Sequence, residues 1–188
     1  HQFNWALDQL DPKPDWVLRL DADEYLAPGS VERLRDVLSR AGPDVDGILL
    51  DCRRTFQGRL LRFGGVSRVP MLRLFRYGRG RSEERWMDER IRVSGRIIRS
   101  RAVFVDDNQK SLTWWTSKHN RYASHEALEI LHQRYGLLSR LSGTKGGPGP
   151  ARRQHRLKDR LYMRLPGRLR ALIYFVYRYV LLGGFLDG

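Results

Sequence analysis

Three carboxylates fall within four positions at Asp21-Ala22-Asp23-Glu24, directly behind the mostly apolar run Trp16-Val-Leu-Arg-Leu20. Carboxylates at the end of a strand hold a hard divalent cation well, and the cation in turn holds phosphate oxygens. The pattern therefore reads as a metal–diphosphate site. Side chains two apart on an extended chain are separated by roughly 6.5–7 Å, whereas Mg²⁺ or Mn²⁺ wants oxygens at about 2.1 Å. Both acids can meet one ion only if the chain turns after Asp21. Otherwise one ligates directly and the other acts through water or holds a ribose. The competing explanation is structural, with Asp21 and Asp23 capping the turn into the next helix. A calcium loop does not fit, since Tyr25 and Leu26 stand where an EF-hand needs a ligand and its glycine.

A second group is Trp86-Met-Asp88-Glu89. An indole beside carboxylates can stack a sugar ring while an acid takes a hydroxyl. Neighbours on an extended chain point opposite ways, so one of Asp88 and Glu89 faces such a site. Its role would be general base toward an acceptor hydroxyl. The structural alternative is that both balance Arg85, Arg90 and Arg92. Further along, Trp114-Trp115-Thr-Ser-Lys118-His119-Asn120-Arg121-Tyr122 is dense in binding groups. A lone His such as His119 is more often structural than a ligand, and two adjacent Trp cannot share one helix face.

The elements that must position these groups alternate in period. Phe3 to Leu10 read as the last turns of a helix, stopped at Asp11-Pro-Lys-Pro14. Residues 16–20 alternate as a strand, so Asp21 emerges at a sheet edge, where open α/β sheets bind ligands. Ser30 is the expected N-cap of a helix carrying Val31, Leu34, Val37 and Leu38, which stops at Gly42-Pro43. Short β-like pieces follow at 47–50, 60–63 and 69–75, with Met71 to Arg76 alternating as on a half-exposed strand. Ala102 to Val105 leads into Asp106-Asp107, and Asp107 or Ser111 caps a long helix through about Tyr135. Helix, strand and helix in succession predict α/β layering.

The chain has 188 residues, of which 41% are hydrophobic and 30% charged, which excludes a disordered chain. Its net charge is +14, and all but five of its 35 basic residues are arginine. Arginine favours phosphate recognition, although a high-GC coding bias would produce the same imbalance. Cys52 is alone, so there is no disulfide framework and no cysteine-rich zinc site. The first residues carry no signal peptide and no initiator Met, and the chain opens within a helix, which leads us to expect N-terminal truncation.

Gly143 to Pro150 is a Gly/Pro linker. Beyond it, Arg152, Arg153, Arg156, Lys158, Arg160, Arg164, Arg168 and Arg170 precede the aromatic-rich run Ala171 to Leu182. That run is shorter than the roughly 20 apolar residues of a spanning helix. A basic flank beside aromatics fits a helix lying in an anionic membrane interface; a packed core helix is the alternative. The expected division is 1–140, a linker at 141–150, and a basic amphipathic helical tail at 151–188.

Taken in order, Leu20-Asp21-Ala-Asp23-Glu24, Trp86-Met-Asp88-Glu89, Asp106-Asp107, and Lys118 to Tyr122 with its basic-aromatic tail resemble bacterial family 2 glycosyltransferases. The likeness is closest to the branch acting on lipopolysaccharide core or other lipid-linked glycans. The resemblance implies a partial GT-A, Rossmann-like nucleotide-sugar domain with a C-terminal helical extension. It implies inverting transfer from a nucleoside-diphosphate sugar to a hydroxyl of a glycan or lipid-linked acceptor. Asp21 would lie near the ribose or metal, Asp23 would bind Mg²⁺ or Mn²⁺ on the diphosphate, and Asp88 or Glu89 would be the base. Relatives with a His-Glu pair there favour Glu89. Asp106 would be a further metal ligand where related enzymes place a His near that position. The protein would sit peripherally on the cytoplasmic face of the cytoplasmic membrane, with no nucleic-acid partner. The family's first strands, which grip base and ribose, have no counterpart, so this chain alone is expected to bind nucleotide weakly and to have little activity.

Two other classes compete. A haloacid-dehalogenase-type phosphatase would use Asp21 as nucleophile and Asp23 as acid, but Glu24 and Tyr25 depart from that pattern. A basic module binding nucleic acid or membrane would leave the acids structural; no zinc-finger or RNA-binding signature accompanies it.

Overall fold

The computed structural model describes residues 2–83, 90–135 and 166–187, and the chain divides into two compact units, His1–Lys110 and Ser111–Gly188. In chain order the first unit contains α1 (Gln2–Asp8), β1 (Trp16–Leu18), β2 (Glu24–Leu26), α2 (Ser30–Ser39), β3 (Val45–Phe56) and β4 (Arg59–Leu60). It continues with β5 (Val69–Arg76), β6 (Gly80–Ser82), β7 (Ile91–Val93) and β8 (Arg96–Asn108). The fold is α/β, as the alternation of periods predicted.

The main sheet has the order β1-β5-β3-β8-β2, with β4 folded back on the end of β3. The pairs β1–β5, β5–β3 and β8–β2 are antiparallel, and β3–β8 is parallel. It follows that β1, β3 and β8 all run the same way. The carboxyl ends of β3 and β8, with Arg54-Thr55 and Asp106-Asp107, reach one rim; β1 ends level with Ile48 near the start of β3, and the chain beyond it brings Glu24 to that rim opposite Asp106.

Each face of this sheet has its own apolar cluster. On one, Leu34 of α2 packs among Ile48, Leu50, Leu74, Ala102 and Phe104, with Trp16 and Leu18 of β1 against them. On the other, Leu7 of α1 meets Phe75 and Ile91, with Phe3 and Val17. The alternation Trp16-Val17-Leu18 is thus used on both sides. Full burial of one such side chain contributes about 1.5–3 kcal/mol. Gly80 of β6 lies so close to the Phe75 ring that a Cβ there would come within 2.3 Å of it, so the small residue lets the β6–β7 ribbon close over this cluster.

Two local expectations are corrected. The stretch from Val45 is one continuous strand of 12 residues, not a short piece; pairing with β8 carries it through the polar Asp51, Arg53, Arg54 and Thr55, with β5 on the other side as far as Cys52 and β4 from Thr55. Ser30 is the first residue of α2, and Gly29, in the left-handed region at φ 74°, takes the N-cap position. The Ser30 hydroxyl is spent elsewhere: it donates to the Val103 carbonyl at 2.9 Å and accepts the Val103 N–H at 3.0 Å, fully buried. It thereby ties α2 to β8. Ser30→Ala removes the side-chain acceptor of the buried Val103 N–H, while the Val103 carbonyl keeps the Ala27 N–H at 2.9 Å, and a loss of about 1–3 kcal/mol is expected by urea denaturation.

The second unit contains α3 (Leu112–Tyr135) and α4 (Gly167–Phe175), the latter continuing into a wider π-helical turn at Val176–Leu181 and a short 3-10 turn at Gly184–Asp187. Ser111 caps α3, its Oγ accepting the Trp114 N–H at 3.3 Å. Asp107, the other expected cap, instead lies within β8. The unit boundary at Lys110 precedes the limit at 140 expected from the sequence. The linker at 141–150 and the basic residues from Arg152 to Arg164 lie outside the described residues. Among the described residues no helix is long and apolar enough to cross a membrane.

Candidate functional site

The turn after β1 is closed by two reciprocal hydrogen bonds. The Glu24 N–H donates to the Asp21 carbonyl at 2.9 Å, and the Asp21 N–H donates to Glu24 Oε2 at 3.0 Å. The acids therefore do not continue an extended chain, which is the turn that a shared site would require. Glu24 then stands opposite Asp106 in the β2–β8 ladder, and the Asp107 N–H donates to the Asp23 carbonyl at 2.8 Å. Two acidic groups far apart in the chain are thus brought to one place.

Arginines interleave with these acids. Arg73 Nη2 is bonded to Glu24 Oε1 and lies 3.6 Å from Asp21 Oδ2; Arg19 Nε is 3.4 Å from Asp21 Oδ1; Arg54 Nε is 3.4 Å from Asp106 Oδ2. The Glu24 and Arg73 side chains are only 5% and 9% exposed, and the Arg73 guanidinium stacks 5.0 Å from the Phe104 ring centre. Burial pushes the Glu24 carboxyl above its ordinary value; the Asp21 N–H and Arg73 oppose that shift, and Asp21 and Asp106 add to it. Asp107 is held below the usual carboxylate range by hydrogen bonds from Thr55 Oγ1 and from Gln109.

These three arginines are what the sequence reading missed. Met71 to Arg76 read as a half-exposed strand with its basic residues outward. Arg73 instead points inward, because Glu24 neutralises it and Phe104 offers a ring face. The inverted arrangement depends on the pairing of Arg73 with the enclosed Glu24, 49 positions earlier in the chain, and that pairing is not visible in one dimension.

The acids are therefore unequal as ligands. Asp21 is engaged by two guanidiniums. Asp23 is exposed and forms no ion pair among the described residues. Among those residues no group of three or more His, Cys, Asp or Glu side chains is arranged to hold a metal ion. An exposed carboxylate such as Asp23 can offer one oxygen to a small hard cation that keeps several of its waters. The set does not suit a cation caged by protein alone. Cys52, buried below the rim, is no nucleophile: burial pushes its thiol up to about 11.

Comparison of the chain with protein-family models, with curated proteins and with solved structures finds no match. The site thus stands on its own chemistry.

Trp86, Asp88 and Glu89 lie outside the described residues. The residues flanking that segment are joined by the Glu83 N–H donating to the Arg90 carbonyl at 2.9 Å, at the end of the β6–β7 ribbon. In α3 the dense binding groups resolve into pairs within the helix. His119 stacks on Trp115 at 3.7 Å with Nδ1 2.8 Å from the Trp115 carbonyl oxygen. Lys118 Nζ lies 4.9 Å over the Trp114 ring and 5.6 Å over Tyr122. The two adjacent tryptophans thus take different partners, as helical geometry requires, and His119 packs on the preceding turn of its own helix.

Proposed function

We propose that this chain belongs to a GT-A-like inverting glycosyltransferase that moves a sugar from a nucleoside-diphosphate donor to a hydroxyl of a glycan or lipid-linked acceptor. The observation that carries the reading is the meeting of Asp23-Glu24 with Asp106-Asp107 at the carboxyl ends of the parallel strands β3 and β8. That rim is where α/β sheets take ligands. The outer edge of β1 is unpaired among the described residues, so a nucleotide-gripping half of the sheet would extend from it.

In this mechanism Asp23 would hold a Mg²⁺ or Mn²⁺ ion, which when bound would neutralise charge on the departing diphosphate. Asp21, fixed between Arg19 and Arg73, accepts a ribose hydroxyl. Glu24 keeps the turn closed through its bond to the Asp21 N–H. The bond between the anomeric carbon and the phosphate oxygen breaks, and its electron pair leaves with the nucleoside diphosphate. The acceptor oxygen bonds to the opposite face of that carbon, and its proton passes to Asp88 or Glu89, with Glu89 favoured by the resemblance. The phosphatase alternative would need Asp21 as a free nucleophile, and two guanidiniums engage it.

A membrane surface is part of the proposal. Apolar side chains of the C-terminal helix stand exposed, including Leu172, Phe175, Val180 and Leu181, and Arg178 lies among them. They surround the helix and do not form one stripe, unlike the amphipathic tail expected from the sequence. An anionic bilayer interface would cover those on the side of the helix turned toward it.

Manganese binding tests the reading directly. Titration of Mn²⁺ followed by water-proton relaxation, with a nucleoside diphosphate present, is expected to show a site that Asp23→Asn weakens about ten-fold or more. Release of nucleoside diphosphate from a nucleotide sugar should require the same ion. Manganese affinity unchanged by Asp23→Asn would refute the assignment.

A further inference from the structure

The proposed donor site leaves unexplained a basin of about 470 Å³ lined by Arg53, Leu60, Arg62, Ser67 and Arg68. Arg53 comes from the end of β3, Leu60 from β4, and the others from the connection into β5. Its walls contribute three guanidiniums and a hydroxyl, and no carboxylate. Arg53 and Arg68 form no ion pair among the described residues. The like charges of Arg53 and Arg68, brought to one basin, repel one another, and an anion removes that cost.

The connection is held in place. Arg54 Nη1 donates to the Val66 carbonyl at 3.2 Å, and the Leu61 N–H donates to the Arg54 carbonyl at 2.9 Å. Arg68 has φ 55°, a left-handed conformation unusual for a residue with a side chain. Because Arg54 also pairs with Asp106, the basin is anchored to the acidic rim, and Arg53 next in sequence turns to the other face. A cation-holding rim and a cation-lined basin thus adjoin at one end of the sheet.

We propose that this basin binds a phosphate or diphosphate group carried by the acceptor, so that the acceptor class is a phosphorylated glycan or a lipid-linked diphosphate. The inference rests on the glycosyltransferase reading for the word acceptor, but the anion site itself does not. The arginine forks match phosphate oxygens in pairs, and the volume falls in the range of sites for small molecules, leaving room for the group attached to the phosphate.

The test uses the 188-residue chain in buffer with EDTA, titrated with inorganic pyrophosphate by calorimetry at fixed salt. Wild type is expected to bind, and the double variant Arg53→Gln/Arg68→Gln to bind about ten-fold or more weakly, with an unchanged thermal midpoint. Asp23→Asn should leave the affinity intact. Arg152→Gln/Arg153→Gln/Arg156→Gln, which removes charge from the tail, should leave it intact too. Flotation with phosphatidic acid vesicles identifies the source: loss of flotation in the basin variant assigns a lipid headgroup, and retained flotation with lost pyrophosphate binding assigns a soluble phosphorylated acceptor. Absence of pyrophosphate binding by wild type, or equal binding by the basin variant, overturns the proposal. Neither result touches the manganese assignment, which fails or stands on Asp23→Asn alone.

Discussion

Arg73→Met is expected to destabilise the protein by about 3–5 kcal/mol, measured by urea denaturation at pH 7, because it strands a buried charge. Glu24 and Arg73 are among the most enclosed ionic groups of the acidic rim. Removing the guanidinium leaves the enclosed Glu24 carboxylate with the Asp21 N–H as its donor. The sign of the pH dependence follows. Burial already raises the Glu24 carboxyl above its ordinary 4.5, and losing Arg73 raises it further. The folded variant therefore holds a proton that the unfolded chain releases, and its stability falls as pH rises above about 4.5 through the raised value. The deficit relative to wild type should be greatest near neutrality and should shrink toward pH 4. Glu24→Gln in the same chain should restore part of the loss, since a neutral amide can be buried at lower cost. A deficit that does not change with pH would show that packing, not charge, holds this pair.

Phe104→Ala should cost a similar amount, about 3–5 kcal/mol, by a different route. The ring is wholly buried among Leu34, Leu50 and Ala102, and its removal opens a cavity that the paired strands on either side of β8 cannot collapse. It also removes the face on which Arg73 rests at 5.0 Å. Because the two residues touch, their effects should not add. The double variant Arg73→Met/Phe104→Ala is expected to lose measurably less than the sum, with a coupling of about 0.5–3 kcal/mol. Methionine can move into the space left by the ring. Additive losses would mean that the stacking has no energetic weight.

The coupling matters to function because Arg73 reaches from the core to Asp21. A variant that releases Arg73 loosens the carboxylate proposed to take a ribose hydroxyl, while Asp23 retains its exposed position. Loss of stability and loss of donor orientation should therefore appear together in Arg73→Met, whereas Asp23→Asn should impair metal binding in a protein of ordinary stability.

Much of this was legible in one dimension. Alternation at Trp16-Val17-Leu18 marked a strand, and the i, i+3, i+4 spacing of Leu34, Val37 and Leu38 marked α2, because periods of 2 and 3.6 are local properties of the backbone. The acids at 21–24 and 106–107 were recognisable as strand-end carboxylates for the same reason. What lay beyond the sequence was pairing. Nothing local says that Glu24 stands opposite Asp106, that β3 and β8 run parallel, or that Arg73 turns inward to Glu24 and Phe104. Nor does anything local gather Arg53, Arg62 and Arg68 around one basin. Those facts depend on which strands become neighbours, and that choice is made by burying two apolar faces at once. Residue types along the chain determined which chemistry was on offer; the assembled sheet decided which charges are spent on one another and which, such as Asp23 and Arg53, form no ion pair among the described residues.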